Sequence, residues 1–252
     1  MEINFKRITD LIIRYFVEHT ATVLKILLTI CLVILIITCL AHIGENRMDY
    51  EALVVLFYVA MFIGGFWFSS NIYKELHEPG IAYRFLTLPA TNIEKLIYAW
   101  LLTSPLVIIV SFIIINFTAW IAVMFCTAIF DINYETLKIF DYHFGSIALL
   151  YIVIQPIFLL GALFFRKLNF FNTVLWLIIF SAGINILATI FVLIFFYPIH
   201  DIKMVDNFFK LLPIANFFTD WFVPGVKIFF WYIMAPFFLV VSYFKLKETE
   251  IK

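Results

Sequence analysis

The sequence predicts an all-α integral membrane protein with six transmembrane helices and both termini in the cytoplasm, and three observations predict it. Of the 252 residues, 65% are hydrophobic and only 13% charged, about half the roughly 25% of a soluble domain. Six apolar stretches, at 26–43, 52–70, 96–125 or beyond, 146–165, 170–197 and 226–244, match the roughly 20 helical residues that cross a hydrocarbon core of about 30 Å. The positive charges also alternate between connections as the positive-inside bias requires.

The N-terminal stretch, 1–25, precedes the first span. Its residues 2–18 have helical period, with Phe5, Ile8, Leu11, Ile12, Tyr15 and Phe16 on one face and Lys6, Arg7, Asp10, Arg14 and Glu18 on the other. Such a pattern predicts an amphipathic helix on the cytoplasmic membrane surface. The alternative is a cytoplasmic continuation of the first span. The first apolar run is too long for the h-region of a cleaved signal peptide and should stay as an anchor.

Spans one and two flank Arg47, and the connection 71–95 returns the chain to the inside. The third run stays uncharged to Phe130, too long for one straight span and too short for two. It predicts a tilt, a kink at Pro105, or a helical extension on the far side. Spans four and five are joined by Arg166 and Lys167, and span six runs into a charged tail. With the N-terminus inside, 12 of the 17 Lys and Arg residues fall in cytoplasmic segments. Outside are Arg47, Lys138, Lys203, Lys210 and Lys227. Trp67 and Trp100 near inner ends and Trp221 near an outer end fit interfacial belts.

The whole chain, 1–252, reads as a single transmembrane domain, because no extramembrane stretch exceeds about 25 residues against the 50 or more of an independent domain. The formal net charge is zero, so no basic face invites nucleic acid. Cys31, Cys39 and Cys126 lie in apolar runs without a CxxC spacing and read as packing residues, not as disulfides or metal ligands.

Near mid-membrane the spans carry no Asp, Glu, Arg or His, which disfavours the intramembrane relay of proton-coupled transport. The remaining polar residues include Asn116, Gln155 and Asn185, with Ser104, Ser111 and Ser181. They read first as interhelical hydrogen-bonding groups and secondly as the lining of a substrate path. An outer group of Asp131, Asp141, His143, His200, Asp201 and Asp206 lacks a helical ligand spacing such as HExxH, so neither a catalytic nor a metal site is assigned. No GxxxxGK[ST] motif occurs; if ATP powers transport, another polypeptide must bind it.

The most informative segment is 71–95. Pro79-Gly80 signals a turn. After it Ile81, Ala82, Phe85, Leu86 and Leu88 occupy one side of a short helix and Tyr83, Arg84 and Thr87 the other, until Pro89 ends it. Thr91-Asn-Ile-Glu94 then matches a capping box, which starts the third membrane helix at a defined point.

The stretch Phe85-Leu-Thr-Leu-Pro-Ala-Thr-Asn-Ile-Glu-Lys-Leu96, followed by an apolar span, resembles the corresponding segment of ABC transporter permeases of the type 2 exporter family. The ending Tyr243-Phe-Lys-Leu-Lys-Glu248 is similar to the C-terminus of bacterial members. The resemblance implies that Glu75 to Leu88 is a coupling helix docking on a separate ATPase subunit, with Glu75, Glu78, Tyr83, Arg84 and Leu88 at the contact. It implies ATP and Mg on that partner, none in this chain, a second permease subunit as homo- or heterodimer, and a multi-pass location in a bacterial inner membrane. It implies also that 206–221, within the outer loop 198–225, forms a re-entrant or interfacial hairpin. The 32 Phe residues depart from expectation; membrane packing is one reading and a lipid-like substrate another. The expected function is the permease subunit of a two-component ATP-driven exporter. The alternatives are a non-transporting polytopic component (assembly, immunity or receptor-like) and a membrane enzyme built on His200 and Asp201.

Overall fold

The computed structural model describes residues 4–44, 50–78, 80–130, 142–196 and 223–251. The described residues contain helices and no strands. In chain order these are α1 (Phe5–Gly44), α2 (Tyr50–Asn71), α3 (Lys74–His77), α4 (Ala82–Leu86), α5 (Asn92–Thr103), α6 (Pro105–Phe130), α7 (Tyr142–Phe164) and α8 (Asn169–Phe196). The last helical stretch is α9 (Val223–Ile228), a π-turn at Phe229–Ile233 and α10 (Met234–Ile251).

Four helical stretches among the described residues are long and apolar enough to cross a membrane: Asn92–Thr118, Phe144–Phe164, Asn169–Phe191 and Val223–Thr249. They mark the chain as a membrane protein. The first two predicted spans fall on α1 and α2.

Of the two sequence readings of the N-terminal stretch, continuation into the first span is the one observed, and the 75–88 segment divides at the turn expected within it. The N-terminal amphipathic stretch and the first span are one uninterrupted helix of 40 residues, about 60 Å at 1.5 Å per residue, so residue 25 marks no boundary. Ile8 and Leu11 face the protein interior, while Phe5, Ile13 and Val17 are exposed. The physical reason is partnership: the apolar face of α1 finds a protein surface to cover. The segment 75–88 is not one helix. It forms α3 and α4, separated around Glu78, whose carbonyl accepts from the amides of Ile81 and Ala82 at 3.0 and 2.8 Å.

Of the three outcomes the sequence left open for the third run, a break at Pro105 is present. Proline lacks the amide that would continue the helix, and Ser104 leaves helical geometry at φ −112°, ψ −82°, splitting α5 from α6.

The main core lies at one end of the bundle, here called the junction end. There Ile8 and Leu11 of α1 meet Tyr73, Phe85, Leu102 of α5, Leu159 and Leu163 of α7, and Leu246 of α10. Both ends of the described chain and the 72–95 connection thus share one end. A phenylalanine ladder continues the packing: Phe66 stacks on Tyr151 at 5.3 Å and on Phe158 at 4.2 Å, and Phe158 stacks on Phe170 at 5.8 Å. For these residues the high Phe content serves packing between α2, α7 and α8.

At the same end a short loop links α7 to α8. Leu168 holds φ at 50°, a left-handed conformation that costs a leucine roughly 1–2 kcal/mol. Asn169, buried, donates from Nδ2 to the Ser70 carbonyl at 3.1 Å and ties the loop to α2.

Candidate functional site

The capping box forms as the sequence indicates. The Thr91 hydroxyl accepts from the Glu94 amide at 3.3 Å, and Glu94 Oε2 accepts from the Thr91 amide at 2.7 Å. Glu94 does more than cap. Its Oε1 accepts from the Asn4 amide at 2.9 Å, and Arg7 lies 3.9 Å from Oε2. One buried carboxylate therefore satisfies the first amides of α5 and of the α1 entry together, and both termini are favourable places for a negative charge. Thr91→Ala is expected to lower stability by about 1 kcal/mol, read as an earlier melt of the detergent-solubilised protein. No change in melting would show that the Thr91 cap contributes nothing to stability.

Lys95, the next residue, is also buried. Its Nζ donates to the Leu86 carbonyl at the end of α4 at 3.4 Å and sits 5.3 Å from the Phe85 ring centre. A buried ammonium needs such partners, and these fasten α4 to α5. The fully buried Tyr73 points its hydroxyl at the Lys95 carbonyl at 3.4 Å.

A chain of charges completes the junction. Arg14 on α1 pairs with Glu18 at 3.0 Å and with Glu75 on α3 at 3.9 Å, and Glu18 pairs in turn with Arg84 on α4 at 3.3 Å. Single exposed pairs contribute little, about 0–1 kcal/mol. Their value here is geometric: α1 holds both short helices. His77 on α3 donates from Nε2 to the Ala162 carbonyl of α7 at 2.7 Å, since a carbonyl can only accept. Burial pushes the Tyr15 phenol up to about 12, with Glu75's charge acting in the same direction. Burial also raises that of Tyr73. Both remain neutral packing groups at any physiological pH.

The sequence-predicted contact residues sort clearly. Tyr83 is 73% exposed and Arg84 directs a largely exposed side chain outward while reaching Glu18. Phe85, the next residue, is buried, so the two-sided pattern expected for 81–88 holds. Glu75 is committed to Arg14, Glu78 pairs with Lys74 at 3.7 Å, and Leu88 packs partly against the core.

The three candidate path residues do not come together. Asn116 donates to the Phe112 carbonyl at 2.7 Å, and the exposed Asn185 to the Ser181 carbonyl at 2.8 Å, each within its own helix. Gln155 is fully buried and bridges helices. Its Nε2 donates to Ser69 Oγ on α2 at 3.2 Å and to Thr103 Oγ1 on α5 at 2.6 Å. Both hydroxyls spend their protons on carbonyls one turn back, at Gly65 and Ala99. Tyr151, one turn before Gln155, donates to the Thr103 carbonyl at 2.7 Å.

Sequence reasoning missed Arg14 and Glu18 as junction residues and Ser69, Thr103 and Tyr151 as partners of the α7 knot. The signal for the first two was present, as charges one turn apart on the polar face of the N-terminal helix. Among the described residues no group of three or more His, Cys, Asp or Glu could hold a metal. The outer group of acids and histidines and the expected hairpin at 206–221 lie outside the described residues, apart from the backbone of His143 in α7. What the junction can do is mechanical: a displacement of α3 or α4 passes to α1, α5 and α7 through named bonds. No family model, curated protein or solved structure matches the chain.

Proposed function

We propose that the chain is the membrane-spanning permease subunit of a two-component, ATP-driven ABC exporter, with six spans and both termini in the cytoplasm. A separate subunit binds ATP and Mg, and a second permease subunit completes the path. The observation that carries this reading is the 72–95 connection. It offers the exposed Tyr83 and Arg84 outward, while Phe85, Lys95 and the capped start of α5 fix it to the bundle. A lever needs both an exposed handle and a stiff attachment. The gathering of both described chain ends beside this connection supports an even number of spans.

In this reading ATP-driven closure of the partner pushes on α3 and α4. The bond of Lys95 to the Leu86 carbonyl moves α5, the charge chain moves α1, and Glu94 couples α5 to the start of α1 through Asn4. The break at Ser104 divides the moved segment from α6. Asn185, exposed on α8, is available to a path shared with the second subunit, whereas Gln155 is sealed among its partners and acts in packing.

The test is co-purification from gently solubilised membranes, followed by ATP turnover. Tagged wild-type chain should bring down an ATPase. Tyr83→Ala combined with Arg84→Glu should reduce its recovery and stimulated turnover at least tenfold, with the folded permease intact by size-exclusion chromatography. If no ATPase co-purifies, or turnover and export ignore the double variant, the non-transporting reading replaces this one.

A further inference from the structure

We propose that the loop joining α7 to α8 is a binding site for an anionic phospholipid, with the headgroup phosphate held by Arg166, Lys167 and Lys245 and an acyl chain resting on Phe164 and Leu168. The inference rests on the apolar helices lying in a bilayer and not on an ATPase partner.

The loop combines three features that protein packing does not explain. Phe164 and Leu168 are 53% and 70% exposed, one at each end of the connection. Leu168 also adopts the left-handed conformation, at φ 50°, where glycine or asparagine sits at lower energy. A strained apolar side chain turned away from the protein gains nothing from the fold, and backbone strain of this kind is retained where it serves binding. Against a membrane the placement is favourable, because lipid receives the isobutyl group that water would not.

Between these two side chains stand Arg166 and Lys167, both exposed, with no ion pair to any described residue. A third cation arrives from a distant part of the chain: Lys245 Nζ lies 4.8 Å from the centre of the Phe164 ring. Lys245 also pairs with Glu248 at 2.8 Å, which offsets one of the three charges. The remaining excess is positive and borders an apolar edge, the combination that recognises an anionic headgroup between helices. Arginine adds a fork of donors matched to phosphate oxygens. The loop is held in place by Asn169 on the Ser70 carbonyl and by Asn172, whose Nδ2 donates to the Lys167 carbonyl at 2.8 Å.

Thermal melting of the purified full chain in a mild detergent tests the proposal. Phosphatidylglycerol should raise the midpoint by several degrees, phosphatidylcholine at equal concentration by less than half as much, and glycerol 3-phosphate not at all. Arg166→Gln with Lys167→Gln should erase the difference between the two lipids. Leu168→Gly gives the opposite pairing of effects: it should melt higher than wild type in detergent alone, because the strain is gone, yet lose at least half of the phosphatidylglycerol gain. Equal shifts with both lipids, or a preference that survives the Arg166 and Lys167 changes, overturns the proposal. A shift with glycerol 3-phosphate assigns the site to a free phosphate and overturns it as a lipid site. A chain monodisperse in buffer without detergent overturns the membrane premise instead, and is read separately.

Discussion

Gln155→Glu is expected to destabilise the protein by about 3–5 kcal/mol, far more than its one-atom size suggests. The amide gives two N–H donors, to Ser69 Oγ and Thr103 Oγ1. Those hydroxyls already donate to Gly65 and Ala99, so they can only accept at this point. A carboxylate supplies no donor and a carboxylic acid supplies one. The substitution therefore sets an acceptor against acceptors in a site with no solvent exposure, where an uncompensated charge costs several kcal/mol. Gln155→Leu is the informative comparison. It removes two hydrogen bonds, each about 0.6 kcal/mol between membrane helices, and leaves both hydroxyls with their carbonyl acceptors, so it should cost about 1–2 kcal/mol. Equilibrium unfolding in mixed micelles reads both. If Glu and Leu fall within about 1 kcal/mol of each other, Gln155 does not act through its amide donors.

Gly161→Ala should cost about 1–3 kcal/mol through overpacking, although alanine is ordinarily the better helix former by nearly 1 kcal/mol. A Cβ at Gly161 would run into Thr173 of α8, whose own Cβ and Cγ2 would lie only 3.0 and 3.1 Å away, with Oγ1 closer still. Thr173 cannot swing aside freely, because Oγ1 donates to the Asn169 carbonyl at 2.7 Å. Helices α7 and α8 meet here because position 161 has no side chain, as small residues permit between membrane helices. Adding Thr173→Ala should recover more than half of the loss, and the non-additivity of the pair measures the clash directly. Gly64 is the control. Nothing lies within 4 Å of a Cβ built there, so Gly64→Ala should be neutral or stabilising by up to about 1 kcal/mol. A loss at Gly64 equal to that at Gly161 would point to a backbone effect common to glycines.

The features readable in the sequence were local ones. Thr91 and Glu94 are three residues apart, and their reciprocal bonds follow from spacing alone. Pro105 announces its own break, since the missing amide is a property of the residue. The division of 81–88 into a buried Phe85 and exposed Tyr83 and Arg84 follows from helical period. What stayed hidden depends on separation. Nothing near Gln155 names Ser69 or Thr103 as its partners, which lie 86 and 52 residues away. Nothing near Gly161 names Thr173. The continuity of α1 was undecided for a related reason: an amphipathic stretch covers its apolar face equally well with lipid or with protein, and only the presence of Tyr73, Phe85 and Leu246 beside Ile8 and Leu11 selects protein. The readable and hidden parts meet at Glu94, whose role as a cap was local and whose bond to Asn4 was not.

That bond also orders events in time. The Asn4 amide and the Glu94 carboxylate are separated by 90 residues. At synthesis rates of about 5–20 residues per second, the start of the chain exists for roughly 5–18 s before its carboxylate has been made. Throughout that interval the apolar face of Ile8 and Leu11 has neither α5 nor α10 to cover it. The first helix is therefore born as a guest of the lipid or of whatever assists insertion, and becomes part of the bundle only when α5 begins.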